Sequence, residues 1–110
     1  MTRDSSAKLA DAMHVAIVNV MTFTGAVTVD SLAFRPWASI TFSGARHRLR
    51  VVFDGAGAVG AAADLLPRLE DLEVDIPGLL LADLALLADS RSDDGARAWL
   101  DLEALTIDDD

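Results

Sequence analysis

Apolar and polar residues along this chain follow two different periods, and the change of period marks its elements. From Ser5 to Thr22 the pattern is helical: the run Ala7–Met21 holds no Gly or Pro, and Ser5 or Ser6 is placed to cap it. At 100° per residue, Lys8, Asp11, His14, Asn19 and Thr22 fall within one arc of about 140°. Val15 and Val18 lie on that same arc and Ala12 at its border, so the polar face is itself half apolar. Such a helix is expected to be covered from both sides, with Val15 and Val18 against a second copy of the chain.

After Gly25 the period drops to two. Val27–Phe34, Trp37–Ser43 and Arg46–Asp54 read as three strands of a meander. A Gly44-Ala45 turn, with Gly first as a type II′ hairpin demands, sets Phe42 opposite His47, Ile40 opposite Leu49 and Ala38 opposite Val51. The other face then receives Ser43/Arg46, Thr41/Arg48, Ser39/Arg50 and Trp37/Val52. A turn at Arg35-Pro36 adds Val27, Val29, Ser31 and Ala33 to the first face, and Asp30, Leu32 and Phe34 to the second. Pro36 does not reach the positive φ of a tight primed turn, so this link is read as a cis-proline turn or a longer loop.

Residues 56–72 are helical in composition, interrupted at Leu66-Pro67, and Glu73–Ile76 reads as a short strand or bridge ending at Pro77-Gly78. Leu79–Asp89 and Arg97–Ile107 flank the turn-rich Ser90–Gly95. Their Leu and Ala favour helix by propensity, but Trp99–Glu103 alternates and Leu105–Ile107 is β-like, so a hairpin is expected. The order is α-βββ-α-ββ: a single α+β domain over residues 1–110, an antiparallel sheet of about five strands with both helices on the Ile40/Leu49/Phe53 face. Residues 1–4 and 108–110 are expected to fray.

Composition narrows the function classes. With 110 residues and 52% of them apolar, the chain supports one core and does not fit intrinsic disorder. The absence of cysteine removes disulfides, thiolate metal sites and cysteine nucleophiles. Biased coding toward Ala, Arg and Asp, as in a GC-rich bacterial genome, accounts for the scarcity of Lys and Glu. The net charge of −9 is unevenly spread: residues 1–53 hold six bases and three acids, residues 54–110 three bases and fifteen acids. This acidic balance argues against a nucleic-acid partner. No apolar run is long enough to span a membrane. Val15–Phe23 has the length of a leader core, but Asp4 and Asp11 stand where positive charge belongs, so a cytoplasmic protein is expected.

Four sets of residues carry candidate chemistry. VVFDGAGAVG, Val51–Gly60, locally resembles the dinucleotide-binding fingerprint of Rossmann oxidoreductases, with Gly55, Gly57 and Gly60 as the cofactor-binding positions. Its strand is read as an arm of an antiparallel meander, Pro67 interrupts the crossover helix, and too little chain follows for a mononucleotide half. Close helix-on-sheet packing, with Asp54 as a helix cap, is therefore the expected role, and no cofactor is assigned. Arg46, Arg48 and Arg50, lined by Ser39 and Thr41, form a stripe fit for an anion, or for ordinary cross-strand pairs with Asp30, Asp83, Asp89, Asp101 or Glu103. Leu32, Phe34, Trp37 and Val52 are expected to cluster on the sheet face away from the helices, an interaction patch that Trp99 extends unless it lies in the last hairpin's core. His14 and His47, with Asp11, lack a third ligand spacing, and no metal site or catalytic residue is assigned. The expectation is a non-enzymatic module that associates with itself as a homodimer, or with another protein; the alternative is a small-ligand or anion-binding domain, catalytic or not, using the Gly55–Gly60 turn or the stripe of Arg46, Arg48 and Arg50.

Overall fold

The computed structural model describes residues 5–109. Helix α1 (Ser5–Val20) is followed by β1 (Ala26–Ala38), β2 (Ser43–Asp54), α2 (Ala58–Leu65) with a 3-10 extension over Leu66–Asp71, β3 (Leu79–Arg91) and β4 (Arg97–Asp108). The described strands form one antiparallel sheet of four, in the order β1-β2-β4-β3. The α+β class and the antiparallel sheet are as expected; the order is α-ββ-α-ββ, with four strands in place of five.

The missing strand has a local cause. Arg35-Pro36 is not a turn but part of β1, where Pro36 lies opposite Ala45. Because β1 is an edge strand, the absent N–H of Pro36 removes no ladder bond. The chain reverses instead over Ser39–Phe42: the Ser39 N–H donates to the Phe42 carbonyl at 2.7 Å, and the Phe42 N–H donates to Ser39 Oγ at 3.1 Å. Ile40 therefore sits exposed at the hairpin tip rather than over Leu49. Gly44 is glycine for another reason. A Cβ there would stand 1.9 Å from the Thr106 carbonyl oxygen, so the β2–β4 approach, and not a turn, excludes a side chain.

A bulge completes the change of register. Ser31 pairs with Leu49 but Ala33 with Arg48, leaving Leu32 as the extra residue. Side chains beyond Leu32 exchange faces: Phe34 turns to the helix side opposite His47, whereas Ala33, Arg35 and Trp37 turn outward. The inner face is carried by Leu49, Val51 and Phe53 of β2 and Leu100, Leu102 and Ala104 of β4, all buried.

Two helices cover that face. α1 lies on β1 and β2 through Leu9, Met13, Ala16 and Ile17. Each large side chain so buried contributes about 1.5–3 kcal/mol. α2 lies on β4 and β2 through Ala58, Ala61, Ala62 and Leu65, its small residues allowing a close approach. After Pro67 the chain tightens to 3-10 and then runs extended, with Ile76 bridging to Leu79. At the C-terminus Asp108 ends β4 and accepts the Ser43 hydroxyl at 2.7 Å, and the Asp109 N–H donates to Gly78. The expected fraying of residues 1–4 and 110 concerns positions outside the described residues.

Candidate functional site

The glycine run serves the backbone. Gly55 and Gly57 take positive φ (130° and 83°), and the Gly55 N–H donates to the Ala96 carbonyl at 2.8 Å, tying the turn to the β3–β4 connection. A Cβ on Gly55 would meet Gly25 at 3.2 Å, so the two glycines mark a close crossing of chain. The strand before the run is antiparallel to both neighbours, which is not the parallel βαβ setting of the fingerprint. Gly60 lies on α2 with open space around it. Asp54 does not cap α2; its carboxylate pairs with Arg97 at 3.1 Å, and α2 starts from Gly57 with no side-chain cap.

The outer face of the sheet carries no helix, and its side chains stand in cross-strand rows. Asp30, Arg50, Asp101 and Ala88 make one row; Ala33, Arg48, Glu103 and Ala85 the next; Arg35, Arg46, Leu105 and Asp83 the one after. Arg50 is consumed by structure. Its Nε and Nη2 donate to the two oxygens of Asp101 at 2.7 and 3.0 Å, the two-pronged geometry in which guanidinium and carboxylate match best. The hydrogen bond from Arg50 holds the Asp101 carboxyl below the usual range, and the same bond raises Arg50. Arg46 meets Glu103 only at 3.6 Å with both side chains exposed. Arg48 has no carboxylate within ion-pair distance among the described residues. Ser39 and Thr41, expected beside the arginines, lie in the hairpin turn and not in these rows.

The expected aromatic patch does not assemble. Phe34 is on the helix side, its ring 5.4 Å from the His47 imidazole, while Trp37 faces outward opposite Gly44. Val52 is outward too, but eight residues along β2 from Gly44, about 27 Å away. There Val52 is buried, and its β4 neighbour Trp99 lies under the Arg97 guanidinium at 5.9 Å. Leu32 projects at the bulge, 49% exposed. Phe34 and Trp37 part because β1 runs on through Arg35-Pro36 without turning, and residues three apart in one strand point to opposite faces. Val15 and Val18 of α1 are exposed, at 57% and 47%.

The two histidines do not meet. His14 is exposed and its Nε2 donates to the Val27 carbonyl at 3.0 Å. His47 is fully buried, hydrogen-bonded through Nε2 to Thr106 Oγ1 at 2.9 Å. No group of three metal-ligating side chains occurs among the described residues.

Sequence reading missed the flank of β3. This edge strand reads LLLADLALLADSR, and Leu80, Leu86 and Leu87 are 52%, 41% and 45% exposed. Leu86 faces inward opposite Leu102, yet α2 and its 3-10 extension stop short of covering it. Between that extension and β3 runs an open groove of about 520 Å³. Leu72, Val74, Leu81 and Leu84 line it together with Glu70, Asp75 and Asp83, so its surface mixes apolar and acidic groups. The available signal was a strand with leucines on both faces at a sheet edge, where one face of an edge strand is ordinarily polar. No described helix is long and apolar enough to cross a membrane. No family model, curated protein or solved structure matches the chain.

Proposed function

We propose that the domain is a non-enzymatic protein-association module whose contact surface is the β3 flank, and that it takes an apolar, basic segment of another protein. The observation that carries this reading is the exposure of Leu80, Leu86 and Leu87 on an edge strand beside an open groove lined by leucines and by Glu70, Asp75 and Asp83. An edge strand offers unpaired N–H and C=O groups along its length, and apolar side chains around it reward a strand or helix laid alongside. Charge selects the occupant. Residues 66–84, which form the groove and the first half of β3, hold five acids and one base. A second copy brings the same acidic rim and a further −9, whereas a Lys- or Arg-flanked segment gains complementarity and a faster encounter.

Sedimentation velocity and fluorescence anisotropy with a labelled alternating Leu/Lys peptide test the reading together. The expected outcome is a monomer of about 12 kDa that binds the peptide saturably and loses at least tenfold in affinity on Leu84→Lys. Asp93→Asn/Asp94→Asn, in the β3–β4 turn away from the groove, should leave binding within about twofold. Equal loss from both variants means charge alone and defeats the β3 assignment. A concentration-dependent dimer abolished by Leu84→Lys gives the surface to a second copy instead of a basic partner.

A further inference from the structure

On the outer face, at the end of the sheet remote from Trp99, three arginines occupy neighbouring positions with Glu103 as the acid directly among them. Arg35 and Arg46 stand directly opposite each other across β1 and β2, and Arg48 is two residues along the same face of β2. Like charges in directly opposed positions destabilise a sheet. The acid beside them is Glu103, opposite Arg48 on β4, and its contact with Arg46 is 3.6 Å long between exposed groups, a kind of pair worth little. The contrast with the adjacent row is direct: there Arg50 and Asp101 close two short bonds and neutralise each other. Ala33, opposite Arg48, is too small to fill the space above the sheet, and a depression of about 480 Å³ opens over Ala33, Arg35, Arg46, Arg48 and Glu103.

We infer that Arg35, Arg46 and Arg48 form a binding site for a phosphoryl-type dianion. The two rows hold three arginines against Glu103 and, beyond Leu105, Asp83, with Asp101 of the next row also felt by Arg48, so the local surplus is positive and suits a phosphate group of charge near −2 at neutral pH. Neighbouring guanidiniums on one strand face are about 7 Å apart at the backbone. Their long stems let them approach one tetrahedral group from three directions, whereas a planar carboxylate satisfies one arginine fork at a time. The chain's overall −9 does not forbid this, because charges beyond about 8 Å are screened at physiological ionic strength. The site lies on β1 and β2, at the opposite edge of the sheet from the β3 groove.

Glu103 gives the test two directions. Inorganic diphosphate is titrated at constant ionic strength, followed by the arginine Nε–H resonances, with citrate and chloride as parallel arms. Saturable binding is expected, weakened about tenfold by Arg48→Gln and strengthened several-fold by Glu103→Gln, which removes the competing carboxylate. Arg35→Gln is the second weakening variant, on the exposed edge strand, should Arg48→Gln perturb the fold. Linear shifts shared with chloride, equal affinity for citrate, or a Glu103→Gln variant that binds no better than wild type overturns the assignment.

Discussion

β1 and β3 are the two edges of one sheet, each 13 residues long and each interrupted by bulges, yet they meet solvent with different chemistry. β1 carries Asp30, Arg35 and Pro36 and has α1 laid over its first half, where Val27 and Val29 join the core. Charge, proline and a bulge are the ordinary means of keeping an edge strand from pairing with another chain. β3 has bulges at Ala82 and Leu87 but spends most of its length on Leu and Ala, and its last seven residues are exposed. Charge does not separate the two edges, since β3 holds Asp83, Asp89 and Arg91 and β1 leaves Leu32 and Phe34 exposed; the proline in β1 and the helix over its first half do. β3 has neither, which is why the proposed association surface is assigned to it.

The largest test of that contrast compares three apolar truncations across the inner face. Leu102 lies in the middle, fully buried on β4. Leu102→Ala is expected to cost about 2–5 kcal/mol in urea unfolding, the range for a cavity in a closed core. Val29→Ala, half-buried under α1, should cost about 1 kcal/mol. Leu86→Ala, opposite Leu102 but 41% exposed, should cost less than about 1 kcal/mol. If Leu86→Ala approached Leu102→Ala, β3 would be roofed in solution and the open-edge reading would fail.

How much of this was legible in the sequence follows from which signals were local. The first helix, the glycine-marked bend before α2, the break at Pro67 and the last hairpin were all readable. Each rests on periodicity or on a residue with a fixed backbone preference. The hairpin of β1 and β2 was misread because Pro36 and Gly44 carry turn-like identities for tertiary reasons. One sits on an unpaired edge, and the other lets the Thr106 backbone approach. The turn that does form relies on Ser39, a weaker signal. The bulge at Leu32 has no identity signal, and it alone moves Phe34 to the helix side and Arg35 beside Arg46. The aromatic patch is dissolved by the continuity of β1 through Pro36, which sets Phe34 and Trp37 on opposite faces, while Arg50 leaves the cationic cluster through its bonds to Asp101. The pairing of Arg50 with Asp101 was among the cross-strand alternatives the sequence offered, whereas the uncovered flank of β3 depends on where α2 ends.

A smaller effect separates the paired row of the outer face from the unpaired one. The carboxyl of Asp101 is held low chiefly by the hydrogen bond from Arg50, so its folded pKa lies below its unfolded value of about 3.9. The stabilisation is therefore fully present above the unfolded value and is lost as pH falls through the folded one. Mild acidification also relieves the repulsion of a −9 chain, so absolute stability is a poor readout and the difference between two proteins is the right one. Asp101→Asn should be less stable than wild type near neutrality, with the gap closing below about pH 4. Glu103→Asn, whose contact with Arg46 is long and exposed, should show a much smaller gap over the same range. Equal gaps for the two would mean that the rows do not differ in pairing.

The smallest expected effect bears on the edges themselves. Leu87 occupies a bulge of β3, unpaired with β4 and 45% exposed, so Leu87→Lys removes little buried surface and adds a charge to an edge. Its stability should stay within about 0.5 kcal/mol of wild type, as for surface substitutions away from special features. Pro36→Val on β1 makes the opposite change, restoring an N–H to an edge that lacks it, and should be equally quiet in unfolding. Solubility under concentration is where the two should part: Leu87→Lys raises it by blunting the apolar edge, while Pro36→Val lowers it slightly. Were Leu87→Lys instead to destabilise by 1 kcal/mol or more, Leu87 would be serving the fold. The exposed leucines of β3 would then be a cost of packing rather than a surface kept for a partner.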